Sequence, residues 1–142
     1  MKSFPFVVRF PMHWSDMDAL GHANNARFFS WFESARVAFF RELDLGHLQP
    51  PGCGPILAAT SCSYARPLVY PADLAVGVRI ARIGRTSVHF EHAVALARSP
   101  DDDAATGTAV VVVVDYAKGT AIPVPDEMRA RLLAFASPSA SP

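Results

Sequence analysis

Trp14-Ser15-Asp16-Met17-Asp18-Ala19-Leu20-Gly21-His22-Ala23-Asn24-Asn25 is a polar run between two apolar ones. It sets two carboxylates, a glycine, a histidine and two amides between a strand-like stretch and a helix-like one. Such groups are costly inside a fold unless they are paired or used. The chain runs on directly into Ala26-Arg27-Phe28-Phe29-Ser30-Trp31-Phe32-Glu33-Ser34-Ala35-Arg36. Phe28, Phe32, Ala35, Phe39 and Leu43 recur at helical spacing and make one face; Phe29, Trp31, Val37 and Phe40 add apolar surface elsewhere. A helix apolar around so much of its girth needs other elements wrapped about it. Asn24 or Asn25 can cap its start, and Leu45-Gly46 offers a stop. A carboxylate beside a helix start, where backbone N–H groups are free, can attack a carbonyl that those groups polarise.

Outward from this centre the pattern is period two. Phe6 to His13 reads as a first strand. Pro50 to Pro55 reads as a loop. Strands follow at Ile56 to Arg66, around Leu74 to Ala81, around Ser87 to Leu96, and at Thr106 to Tyr116. Ile83-Gly84-Arg85 is a turn, and Asp101-Asp102-Asp103 is a solvated hairpin tip. Asp126 and Glu127, after Pro123 and Pro125, open a short terminal helix. Strands joined by short links make an antiparallel sheet. The expected class is α+β, a hot-dog fold: a curled antiparallel sheet of about five strands around one long helix, with a short C-terminal helix. Val110 to Val114 is too apolar for an open sheet edge, so edge-to-edge pairing of subunits is expected.

The 142 residues suit a single domain over 1–136, followed by a polar tail at 137–142. With 51% hydrophobic residues and zero formal net charge, the chain is not a general nucleic-acid binder. No apolar run reaches the length of a membrane span, and the start lacks a signal-peptide core, so a cytoplasmic location is expected. Cys53 and Cys62 have neither metal nor redox spacing.

Asp16-Met17-Asp18-Ala19-Leu20-Gly21-His22-Ala23-Asn24-Asn25, with Phe28-Phe29 and Phe32-Glu33-Ser34-Ala35-Arg36, resembles the hydroxybenzoyl-CoA thioesterase family of hot-dog acyl-CoA thioesterases. Tyr64-Ala65-Arg66-Pro67-Leu68, Gly84-Arg85-Thr86-Ser87 and the Pro123 region extend the likeness from about Val7 to Leu133. The resemblance implies dimers with a continuous sheet and active sites at the subunit interface. It puts the catalytic carboxylate on Asp18 and the carbonyl-polarising amide on Asn25. Some members carry a large aromatic where this chain has Asn25, so the implied acyl pocket differs here.

Each candidate also has a plain structural reading. Asp18 can act as base or nucleophile, or bond the turn around Gly21. Asp16 can contact substrate or simply hold the turn backbone. Gly21 supplies a backbone angle or room for substrate. His22 can orient Asp18 or shuttle a proton, and it can be only a turn histidine. Asn24 and Asn25 are at least caps. Phe28, Phe29 and Phe32 are candidates for the acyl pocket. Arg66, Arg82 and Arg85 suit coenzyme A phosphates, with Ser87 beside the last. Glu33 and Arg36 stand at ion-pair spacing; His89 and His92 read as structural. His13, Asp16, Asp18 and His22 match no metal spacing, so no metal or other cofactor is expected.

The expected function is hydrolysis of an acyl-CoA (or acyl carrier protein) thioester by a homodimer or homotetramer, without nucleic acid or membrane. The alternatives are a hot-dog acyl thioester dehydratase or hydratase, and a module that binds acyl-CoA without cleaving it.

Overall fold

The computed structural model describes residues 1–136; the tail expected at 137–142 lies outside the described residues. The elements are β1 (Phe6–Pro11), a 3-10 turn (Trp14–Asp16), α1 (Asn25–Glu42), a second 3-10 turn (Gly46–Leu48), β2 (Cys53–Tyr64), β3 (Asp73–Ile83), β4 (Ser87–Leu96), β5 (Asp103–Asp115), β6 (Thr120–Ala121) and α2 (Asp126–Phe135). The strands form one antiparallel sheet in the order β1-β3-β4-β5-β2, with β6 on β5. The sheet curls around α1 in the hot-dog arrangement, and α2 packs against β3 and the C-terminal end of α1.

Alternation puts every second strand residue on the concave face. Val76, Val78 and Ile80 of β3, Phe90 and Val94 of β4, and Ala105, Ala109, Val111 and Val113 of β5 share one core with Phe28, Trp31, Phe32, Ala35 and Phe39 of α1. At Gly107 the helix comes so close to β5 that a Cβ would lie 2.5 Å from the Phe32 ring and 2.6 Å from the Ser61 carbonyl oxygen. Only glycine fits there. The wrapping is one-sided: Val37 is half exposed, and Phe29 and Phe40 are only partly buried.

Several elements depart from their sequence expectations. The helix ends at Glu42 with Leu43 as its C-cap, not at Leu45-Gly46. Asp44 takes the left-handed turn (φ 49), and the Leu45 N–H closes on the Phe40 carbonyl at 3.0 Å. Leu45 is buried beneath this turn, the apolar contact that seals such an end. β1 stops at Pro11, short of His13. β2 starts at Cys53 and takes in Pro55, which was expected to lie in the loop. A proline is tolerated there because β2 is an edge strand, where an absent N–H breaks no ladder. Val110 to Val114 is not at an edge at all. β5 lies between β4 and β2, so its valines are shielded from within the chain, and β1 and β2 are the edge strands instead. In the aspartate turn, Asp102 pairs with Arg66 and Asp101 with Lys2.

Arg36 does not form the expected ion pair with Glu33. Its guanidinium is buried (5% exposed) and reaches the His92 Nε2 at 3.3 Å. His92 is 1% exposed and stacks on Phe32, with ring centroids 5.0 Å apart. Burial, and then the Arg36 charge, push the His92 imidazole down to about 3. In the unfolded chain a histidine takes its proton near pH 6.5. Between those values the unfolded state binds a proton that the folded state refuses. His92 therefore favours the fold fully above pH 6.5, and that contribution is lost as pH falls toward 3. Acidification from pH 7 to pH 5 is predicted to cost about 2 kcal/mol of stability through this group. His92→Gln keeps an acceptor for Arg36 without titrating. Denaturant unfolding across that range should show a flatter slope in this variant than in the wild type.

Candidate active site

Asp16 anchors the polar run. It is 1% exposed, and its Oδ1 accepts from Arg27 Nε at 2.6 Å and Nη2 at 2.5 Å. Its Oδ2 accepts from the His13 N–H at 2.8 Å, and its carbonyl accepts from the Asn24 N–H at 2.8 Å. Both carboxylate oxygens are thus used in holding the loop to the first turn of α1. Of the two readings of Asp16, burial and these three donors favour the one in which it bolts the turn in place. The loop is also stitched to the segment before β3, through Met12 N–H to Ala72 and Ala23 N–H to Leu68, each 2.8 Å. Gly21 has φ 84 and empty space where a Cβ would stand. The left-handed backbone by itself is enough to require glycine there.

Asp18 is different in kind. It is partly exposed in a groove of about 820 Å³ lined by Trp14, Ser15, Met17, Ala19 and Tyr70. Its Oδ1 accepts from the Leu20 N–H at 2.8 Å, and its Oδ2 accepts from Asn24 Nδ2 at 3.2 Å. The Asn24 Oδ1 accepts from the Ala26 N–H at 2.9 Å. One side chain therefore caps α1 and ties the helix start to the carboxylate. Around it, the Ala23, Asn24, Ala26 and Arg27 amides all have acceptors. The Asn25 N–H, at the first helical position, has none among the described residues. It belongs to the orphan donors of a helix N-terminus, where the aligned peptides leave partial positive charge.

Asn25 lines a second, mostly apolar pocket of about 390 Å³ with His22, Ala23, Phe28, Tyr64, Ala65, Arg66 and Pro67. The carboxylate and the free amide thus stand on neighbouring openings bridged by Asn24. His22 Nδ1 lies 3.3 Å from the Ala23 carbonyl, and the His22 carbonyl accepts from the Asp18 N–H at 3.1 Å. Phe28 is buried against Trp31 and edge-on to Tyr64 at 5.0 Å. Phe29 is partly buried and does not line this pocket. Arg66 sits in the wall, paired with Asp102.

Arg85 and Ser87 are not brought to this place within one chain. Ser87 stands level with Val112 and hence with Ile56, whereas the pocket lies at Tyr64. Eight residues of extended strand separate those levels by about 26 Å. The β3–β4 hairpin turns at the opposite end of the sheet from the polar loop.

Tyr64, which the sequence reading quoted within a matching stretch, was given no role in the site there. Its hydroxyl donates to the Asn25 carbonyl at 2.9 Å. Burial, and then the Cys62 thiol two residues away, push the Tyr64 phenol up to about 12. The available signal was an aromatic closing an edge strand of small residues, where packing alone gives it little reason to be. No group of three His, Cys, Asp or Glu side chains among the described residues is placed to hold a metal.

The thioesterase-like superfamily model matches residues 12–132. A thioesterase of Thermus thermophilus, solved with coenzyme A and Zn, is 32% identical with a TM-score of 0.81, covering 100% of this chain and 99% of its own. The PA2801 protein of Pseudomonas aeruginosa is 33% identical with a TM-score of 0.81, covering 89% and 97%. YsmA of Bacillus subtilis strain 168 is 26% identical over 132 residues, 92% of this chain and 87% of YsmA.

Removing the cation from the Asp16 bolt leaves a buried carboxylate without two of its three donors. Arg27→Ala is predicted to destabilise the fold by about 2–3 kcal/mol. Urea denaturation measures the change, and an unaltered midpoint would refute this role for Asp16.

Proposed function

This chain belongs to the thioesterase-like superfamily, and from that premise we propose that it is an acyl-CoA thioesterase, releasing a free acid and coenzyme A. The observation that carries the reading is the unpartnered Asn25 N–H. It stands at a helix start, in the wall of an apolar pocket, beside the side chain that holds Asp18. The thioester oxygen accepts a hydrogen bond from this amide, and the helix N-terminus supports the developing negative charge. The Asp18 carboxylate either draws a proton from the attacking water or attacks the carbonyl itself, giving an anhydride that water then opens. The carbon–sulfur bond breaks, and the departing thiolate takes up a proton. Phe28 supplies apolar contact, His22 lies on the same wall, and Arg66 offers a guanidinium to a coenzyme A phosphate. An acyl carrier protein thioester presents the same scissile bond. The coenzyme A bound in the Thermus thermophilus thioesterase supports the choice of carrier.

The same reading makes the active form a pair of chains joined through β2. This strand has an unpaired edge, with Ile56 47% and Leu57 44% exposed. Antiparallel pairing about a two-fold axis would lay the Cys53 end of one β2 beside the Tyr64 end of the other. Arg85 and Ser87 of one chain would then stand near Asp18 and Asn25 of the second. A homotetramer would pair two such dimers.

Thiol release from a panel of aromatic and straight-chain acyl-CoA thioesters tests the chemistry. Asp18→Asn is expected to lose most of kcat. Asn25→Pro, compared with Asn25→Ala so that only the backbone donor differs, keeps the backbone in place, because proline suits the first helical position and Asn24, at φ −61 and ψ 133, already has the backbone that precedes a proline. It is expected to lower kcat by roughly 10²–10³-fold in a folded protein. Full activity in either variant would sink the mechanism. Saturable binding without thiol release would favour a binding module, and an enoyl thioester product would favour a dehydratase. For the assembly, the double substitution Ile56→Lys with Leu57→Lys is expected to give inactive monomers in sedimentation velocity. An active monomer would exclude a shared site.

A further inference from the structure

We propose that Tyr64 is a positioning residue for the oxyanion amide: its hydroxyl, bonded to the Asn25 carbonyl, holds the first helical residue so that the Asn25 N–H keeps its aim. The inference rests on the thioesterase reading above and adds a residue to it.

The first turn of a helix is its loosest, because its N–H groups have no partners one turn earlier. The direction of the Asn25 N–H depends on the peptide planes on either side of that residue. The preceding plane is held at the Asn24 carbonyl, which accepts from the Arg27 N–H at 2.9 Å. The following plane is held at both of its ends. Its N–H, from Ala26, donates to Asn24 Oδ1 at 2.9 Å, and its carbonyl, from Asn25, accepts from the Tyr64 hydroxyl at 2.9 Å. The other bonds that set Asn25 come from its own loop and helix. Among the described residues, Tyr64 alone brings it a hydrogen bond from the sheet, thirty-nine residues along the chain.

The hydroxyl is well suited to the task. Its ring is set edge-on against Phe28 at 5.0 Å, and Phe28 is buried. Tyr64 is paired with Ala105 at the end of β2, so its backbone is part of the ladder. Its raised phenol keeps the proton through the whole neutral range, so the donor does not switch off with pH. A preorganised oxyanion donor lowers the barrier because it need not reorient during reaction. Loosening the Asn25 peptide should therefore act on kcat rather than on substrate binding.

Steady-state kinetics of thiol release, with wild type and Asp18→Asn alongside, tests the proposal through two variants. Tyr64→Phe keeps the ring and loses the hydroxyl; Tyr64→Leu loses both. The expected result is a fall in kcat of roughly tenfold in Tyr64→Phe, with KM and the thermal midpoint little changed. Tyr64→Leu should fall by a similar factor and also melt earlier. Wild-type kcat in Tyr64→Phe, with the loss confined to Tyr64→Leu, would reduce Tyr64 to packing and overturn the proposal while leaving the thioesterase reading intact. No thiol release by the wild type itself would overturn both.

Discussion

Phe32 lies on bare backbone at Gly107, and this contact sets how deeply α1 sits in the curve of the sheet. No side chain intervenes between the helix and β5 at that point. The stacked His92 ring and the buried Arg36 fill the space beside it. With the middle of the helix seated at this depth, its first turn emerges within a hydrogen bond of the end of β2, where Tyr64 meets Asn25. The candidate site is therefore a consequence of core packing two turns away. A helix held further from the sheet would leave the Asn25 carbonyl without its bond to the strand.

Two aspartates one residue apart show how position divides chemistry. Asp16 is buried, and its four polar contacts tie the loop to Arg27, His13 and Asn24. Asp18 is held by a backbone amide and a carboxamide, yet it opens on a groove. A carboxylate surrounded by structural donors has nothing left to offer a ligand. A carboxylate held from one side keeps lone pairs for water or a carbonyl. Asn24 links the two regimes, because its backbone serves Asp16 while its side chain serves Asp18 and the helix cap.

The sheet edge completes this division. β5 hides its valines between two neighbours, while β2 presents small and apolar residues with no strand on its outer side among the described residues. An unpaired edge of this length invites another strand. Its Tyr64 end borders the pocket, so whatever pairs with β2 also walls the candidate site.

Much of the architecture was legible in order along the chain. Helical spacing from Phe28 to Leu43 marked α1, period-two alternation marked β3 and β4, and the glycine and amides between Asp18 and Asn25 marked a loop feeding a helix. These are properties of neighbours in sequence, governed by backbone period and capping, so the amino-acid order by itself determined them. Which aspartate is buried, which strand lies at the edge, why Pro55 is harmless, that Arg36 meets His92 rather than Glu33, and that Tyr64 reaches Asn25 were decided only in the tertiary structure. Each depends on a contact between residues brought together by sheet order and helix depth, and neither leaves a local pattern. Arg85 and Ser87 make the same point in reverse: their motif is plain in the sequence, but the direction of the β3–β4 hairpin carries them to the far end of the sheet.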